Sequence, residues 1–536
     1  MFRRTLLTAA GAAALLPTRL SRPALAQGRS SRVLRYVPQA DLTVVDPVVT
    51  TAYITRTHAL MVWDQLYGLD AQLRPQPQMV EGHRIEEDGK RWTFRLREGL
   101  RFHDGTPVRG RDCVASIRRW AQRDSLGQAL LARTDEMSAP DDRSFVIRLK
   151  RPFGAMLDAL AKLGPPALVI MPERLAETDP AQQIREIIGS GPFRFKADER
   201  VVGARVVYER NADYVPRPGG SMPGGTVEWA AGPKQVHFDR VEWLVMPDPG
   251  TATAAMQSGE ADWWENPSND LLPVLEASPD IRTGSAGPLG TMGTGVFNHL
   301  YPPFDKAAVR RVILQAMSQE DYMTAAAGAD PSMWKAGVGL FAPGTPMASD
   351  AGLEAITGKR DLEASRKALV EAGYKGERVV LMAPSDNPVL AALGEVTNDL
   401  FRRLGMNVDY VVSDWGTLVT RRASKDAPDK GGWNMFNTTW AGLDMVNPAV
   451  EQVLRVNGDK GFFGWANIPR IEQLREAWLD APDTETQKRI AAELQTVAMQ
   501  EVPYLPTGQY LYKTAYRRDL TDMVQGLFVF WGIRRQ

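Results

Sequence analysis

Residues 378–415 read RVVLMAPSDNPVLAALGEVTNDLFRRLGMNVDYVVSDW, and the pattern of their side chains decides the class of fold. The apolar run at 378–383 (RVVLMA) reads as a buried strand. Pro388 opens a helix in which Leu393, Val396, Leu400 and Leu404 recur at spacings of three and four. Gly405 follows as the stop, because a left-handed residue there costs glycine least. Residues 406–412 (MNVDYVV) read as a second strand, with Val408, Tyr410 and Val412 on one face. Strand, helix and strand with short joints imply a parallel pair and a right-handed crossover. Ligands collect beyond the carboxyl ends of the strands in such sheets, and Trp415 lies just past one of those ends.

The rest of the chain keeps this alternation, which points to α/β architecture. Residues 91–97 (RWTFRLR), 144–150 (SFVIRLK) and 204–208 (ARVVY) alternate as half-buried strands do, and 433–439 is also strand-like. Asp305 is placed to cap a helix carrying Val309, Val312, Ile313, Ala316 and Met317 on one face. Asp361 is placed to cap another, closing at Gly373 after Leu362, Leu369 and Ala372. Residues 213–233 are dense in Pro and Gly and read as a surface loop. Repeats and low-complexity tracts are absent from the sequence.

The chain has 536 residues, of which 44% are apolar and 24% charged, a mix that supports two to four packed domains and rules out general disorder. Lys+Arg and Asp+Glu both number 64, so no basic excess points to nucleic acid. The single cysteine, Cys113, excludes a disulfide framework and a thiolate cluster, and five histidines argue against a histidine-based metal site. Neither a metal nor a cofactor is expected.

Residues 1–26 read as an export signal: Arg3-Arg4-Thr5-Leu6-Leu7, a small-residue apolar run to Leu16, then Ala24-Leu25-Ala26. The arginine pair followed by Thr-Leu-Leu resembles the twin-arginine variety, with an ordinary secretory signal as the alternative. The apolar run of about 12 residues is shorter than a membrane span requires. Removing residues 1–26 takes away four arginines and no acidic residue, leaving a formal charge of −4 on the mature chain, which is expected in the periplasm.

Enzyme motifs are missing. The sequence has no phosphate loop, no H-E-x-x-H and no nucleophile elbow. His103-Asp104 lies in a turn (FHDGTP) and Cys113 inside a helical pattern, and both read as structural. The chain is expected not to be an enzyme.

Six blocks in order carry a resemblance to a known family. They are 92–116 (WTFRLREGLRFHDGTPVRGRDCVAS), 189–195 (GSGPFRF), 211–214 (NADY), 241–262 (VEWLVMPDPGTATAAMQSGEAD), 297–317 (FNHLYPPFDKAAVRRVILQAM) and 361–374 (DLEASRKALVEAGY). Together, over about 33–515, they resemble the family 5 solute-binding proteins of bacterial ABC importers, which include dipeptide, oligopeptide and nickel receptors. The resemblance implies a two-lobed, hinged α/β fold with an extra domain inserted in the first lobe. It places the first lobe at 27–62, 187–285 and 500–536, the insertion at 63–186 and the second lobe at 286–499. It implies capture of a peptide-like or amine-bearing solute and delivery to a permease in the inner membrane, by a receptor expected to be a monomer. The alternatives are a nickel or metal-chelate receptor of the same fold and, from another class, a secreted α/β hydrolase.

By the same resemblance, Trp415 walls the pocket, and the segment Trp440-Ala441-Gly442 to Asp444 (TTWAGLDMVNP) lines it. Asp444 matches the aspartate that holds the peptide ammonium, a sound pairing because an ammonium and a carboxylate form strong charge-assisted hydrogen bonds. The dipeptide receptors' carboxylate-clamping arginine, in an R-P-Y-N-P context, corresponds here to Pro384 in Pro384-Ser385-Asp386-Asn387-Pro388. That departure argues against a dipeptide specialist. Trp433, Trp440 and Trp465 suit stacking on a planar ligand, with core packing as the commoner use.

Overall fold

The computed structural model describes residues 32–217 and 229–536. The expected export signal at residues 1–26 and residues 218–228 of the stretch expected to be a loop lie outside them.

Strand Arg378–Pro384 runs parallel to strand Asn407–Ser413, in register from Arg378 opposite Asn407 to Pro384 opposite Ser413, with helix Pro388–Arg403 between them. Asn387 caps that helix through the N–H of Leu390, and Leu393, Leu400 and Phe401 bury its inner face. Gly405 adopts φ +81, the left-handed stop that the sequence predicts. Val408 and Tyr410 pack against the core, whereas Val412 is 53% exposed because this strand forms the edge of its sheet. The sheet has six strands, in the order Trp334–Lys335, Tyr504–Tyr510, Thr291–Phe297, Met435–Ala441, Arg378–Pro384, Asn407–Ser413.

A second sheet has seven strands, in the order Ile281–Ser285, Lys513–Arg517, Trp263–Trp264, Val33–Val37, Arg240–Leu244, Arg205–Arg210, Phe193–Phe195. Strand Val33–Val37 at its centre is parallel to both neighbours. Tyr36, Trp243, Trp263 and Phe530 interlock in its core at ring separations of 4.8–5.9 Å. A third, four-stranded antiparallel sheet orders Val80–Glu86, Arg91–Leu96, Ser144–Leu149 and Thr134–Asp141, covered by helix Gly110–Ala121. From that helix Arg119 reaches the loop after Val33–Val37 and forms a buried, two-pronged ion pair with Asp46 at 3.1 and 2.7 Å.

The chain passes between the seven- and six-stranded sheets through residues 286–290 and again through 511–512. The two passages touch, the Ala286 N–H donating to the Tyr512 carbonyl at 2.9 Å. The expected return to the first lobe at residue 500 is too early, because Tyr504–Tyr510 pairs with Thr291–Phe297 inside the six-stranded sheet. A second correction concerns Asp305. The helix starts at Ala307, with Lys306 as its N-cap residue and no side-chain cap, although Val309, Val312, Ile313 and Ala316 face the core as expected. Asp361 does cap its helix, accepting from the N–H groups of Glu363 and Ala364. Cys113 is buried in helix Gly110–Ala121, and His103 bonds the Gly191 carbonyl at 3.1 Å, both within the packing of the scaffold. No helix among the described residues is long and apolar enough to cross a membrane.

Candidate functional site

Pro384, Ser413 and Ala441 end three neighbouring parallel strands, so the residues following them collect along one edge of the six-stranded sheet. Antiparallel strand Thr291–Phe297 starts at that edge and Tyr504–Tyr510 finishes there, because Thr291 pairs with both Ala441 and Tyr510. Both chain passages leave from this edge. It therefore faces the seven-stranded sheet across the hinge, and the segments beyond the strand ends are the ones a ligand between the lobes would meet.

Trp415 stands first in helix Trp415–Arg421, with Asp414 as cap, and its N–H donates to Asp386 just beyond the adjacent strand at 2.8 Å. Its indole is half-buried and lies 5.8 Å from the Arg422 guanidinium, which also rests 4.7 Å over Phe463. Trp440 donates from its indole N–H to Thr294 Oγ1 at 3.1 Å and packs edge-on against Phe462. Trp433 and Trp465 are core residues, 0% and 7% exposed, with ring centres 6.0 Å apart. Gly442 is a scaffold position. Its N–H donates to Gly290, and a Cβ there would stand 2.0 Å from the Leu289 carbonyl oxygen, so only glycine fits the approach.

Asp444 lies within the turn Gly442–Met445 that follows strand Met435–Ala441. One carboxylate oxygen accepts a hydrogen bond from the hydroxyl of Tyr53, a residue 391 positions away on the first-lobe helix Tyr53–Val62. The same hydroxyl accepts from the Ala441 N–H at 3.1 Å, so Tyr53 bridges Ala441 and Asp444. The other oxygen rests against Gly164, where a Cβ would lie 2.1 Å from it. Nearby, Lys162 is committed to Asp124 at 2.6 Å and to the Gly164 carbonyl at 3.0 Å. Burial pushes the Asp444 carboxyl above its ordinary range, partly offset by the Tyr53 hydrogen bond and the positive charges of Lys162 and Arg56.

The seven-stranded sheet contributes Glu265, 2% exposed, immediately beyond strand Trp263–Trp264. It accepts from the Tyr36 hydroxyl at 2.6 Å and from the backbone and side chain of Gln39 at 2.9 Å. Burial raises its pKa, opposed in part by the charge of Arg56. Arg56 follows Tyr53 by three residues on the same helix face, its guanidinium 5.1 Å over the Tyr53 ring. Its charge also reaches Tyr36 and, in the second passage between the sheets, Tyr512.

The sequence reading reached Asp444, Trp415, Trp440 and Ala441 but not Tyr53, Arg56, Glu265 or Tyr512. A signal for Arg56 was present. It is a cation in a helix, YITRTHALMV, whose residues 54–62 are all buried. Among the described residues no group of three or more His, Cys, Asp or Glu side chains is placed to hold a metal ion.

Comparison with known proteins adds to this geometry. Residues 74–457 match the family model described as bacterial extracellular solute-binding proteins, family 5. The chain is 38% identical over 98% of its length to the "Probable peptide ABC transporter periplasmic-binding protein y4tO" of Sinorhizobium fredii, covering 97% of that protein. It is 25% identical over 74% of its length to the "Glutathione-binding protein GsiB" of Pectobacterium atrosepticum, covering 72% of it. Its fold superposes on the periplasmic binding protein AgaA of A. tumefaciens, solved with agropinic acid, with a TM-score of 0.74 at 20% identity, over 94% of this chain and 99% of that one.

Proposed function

The chain belongs to the bacterial extracellular solute-binding proteins of family 5, and from that premise we propose that it is the periplasmic receptor of an ABC importer for peptides. The receptor takes the peptide between its two lobes and presents it to a permease in the inner membrane, as a monomer and without chemical conversion. Export by residues 1–26 belongs to the same reading. The relatives favour a peptide over the nickel or metal-chelate alternative, since they are named for peptides and glutathione.

One observation carries the reading at the level of residues: Asp444 from one lobe meets Tyr53 from the other, at the edge where the strand ends converge. A carboxylate kept from water at that junction receives the peptide ammonium, which has the donors and the charge that such a site is short of. Trp415 and Trp440 supply apolar contact beside it.

Native mass spectrometry of the gently purified, full-length exported protein tests the assignment. The expected spectrum shows a small-molecule adduct that is released on denaturation and fragments as a peptide. A co-purifying sugar or metal chelate, or a turnover product in place of intact peptide, would contradict it.

A further inference from the structure

On the peptide reading above, we infer that Arg56 clamps a ligand carboxylate from the first lobe, so the preferred ligand is a short peptide whose free carboxylate lies within one or two residues of its ammonium. The inference starts from how Arg56 is held. Its side chain is inside the protein, with the residue 7% exposed, yet among the described residues its guanidinium donates no hydrogen bond and forms no ion pair, and its Nε is buried with no acceptor. A guanidinium has five donors and keeps its charge at any ordinary pH. Burying it unpaired is costly.

The other buried arginines behave differently. Arg119 is paired with Asp46, and Arg133 with Glu476 and Asp480. Arg310 donates to the carbonyls of Phe304, Glu501 and Val502, and Arg97 to those of Gln78 and Val215. Arg517 faces Asp280 at 3.3 Å. Arg56 departs from this rule beside the Tyr53–Asp444 contact between the lobes.

The two acids near Arg56 do not take its donors. Glu265 is bonded to Tyr36 and Gln39, and Asp444 to Tyr53. Stacking over the Tyr53 ring orients the guanidinium without using an N–H group. The fork is therefore preset for an anion from outside the chain, and a carboxylate is the planar, two-oxygen partner that it fits. Because Tyr53 joins Arg56 to Asp444, the ligand's ammonium and carboxylate must lie close together, as they do in a dipeptide. The carboxylate clamp that the sequence resemblance expects at Pro384, in the second lobe, is thus supplied from the opposite wall.

The test presents the full-length mature protein with an equimolar dipeptide mixture and, separately, with the same dipeptides as C-terminal amides, read by competition in native mass spectrometry. The wild type should prefer free acids by at least about tenfold, the ratio equivalent to about 1.4 kcal/mol. Arg56→Gln should bring that preference close to one, Arg56→Lys should keep part of it, and thermal unfolding of both variants should show that they are folded. Equal retention of acids and amides by the wild type would overturn the inference, whether or not the variants fold, and so would an undiminished preference in folded Arg56→Gln. If the wild type retains neither mixture, the inference of a dipeptide-sized ligand is overturned, while the peptide reading is decided separately by whether the natively purified protein carries a peptide adduct.

Discussion

Tyr53 offers the Asp444 carboxylate a neutral hydroxyl, while burial raises the cost of its charge. An incoming ammonium supplies the missing positive charge, so most of the binding energy at this residue is electrostatic. Truncating one partner of such a buried pair costs roughly 2–5 kcal/mol. Asp444→Asn keeps the size and one acceptor for Tyr53, so folding should hardly change while affinity for the dipeptide mixture falls by about 30-fold or more. Calorimetric titration measures this, and wild-type affinity in the variant would remove Asp444 from the ligand. Strand periodicity placed Asp444 and Trp415 just beyond strand ends in the sequence, while the ligand roles expected of them came from the family resemblance. Tyr53 and Arg56 were not legible, because their nearness to Asp444 is created by lobe packing across nearly four hundred residues and leaves no local pattern.

Helix Tyr53–Val62 carries both of those residues, and its inner face also buries His58. The His58 Nδ1 pairs with the Tyr208 hydroxyl at 2.8 Å, and a hydrogen bond with the Val45 backbone partly favours the charged ring. Burial, helped by the charge of Arg200, lowers its pKa from 6.5 to about 3. The unfolded chain therefore takes up a proton that the folded one refuses once the pH drops below about 6.5. This contribution to stability is complete above that pH and is lost progressively as the pH falls towards 3. Urea unfolding should show stability falling by up to about 1.4 kcal/mol per pH unit from this residue alone, and His58→Gln should flatten the slope by that amount. An unchanged slope in the variant would show that His58 does not carry the effect. Elements of this kind were legible to different degrees. The 378–413 unit was read closely, because a buried parallel pair and an amphipathic helix write distinct periods into the chain. The Asp305 cap was misplaced by local turn geometry, and the membership of strand Tyr504–Tyr510 depends on which sheet it reaches, something its own residues do not encode.

Across the whole molecule the seven- and six-stranded sheets are joined by two adjacent passages, 286–290 and 511–512, and side chains on the two sides also meet directly. One such meeting is the Tyr53–Asp444 contact. Another sets Arg133 and Arg151, next to the four-stranded sheet, against Glu476 and Asp480 of helix Pro469–Asp480, with three of the four ion pairs at 2.7–3.0 Å. On the proposed function the lobes open by rotation at these passages, and a ligand that contacts both walls selects the closed form through its higher affinity for it. The alternation of strands and helices was readable from the sequence in the segments assigned to them, and family resemblance supplied the expectation of two lobes, but the contacts across them were not, since each joins residues far apart in the chain. Small-angle scattering of the full-length mature protein, with and without a saturating dipeptide mixture, measures that closure directly. The account predicts a smaller radius of gyration with the dipeptides at unchanged forward scattering, the mark of one monomer closing. An unchanged radius of gyration with dipeptide demonstrably bound would contradict capture by closure between the lobes.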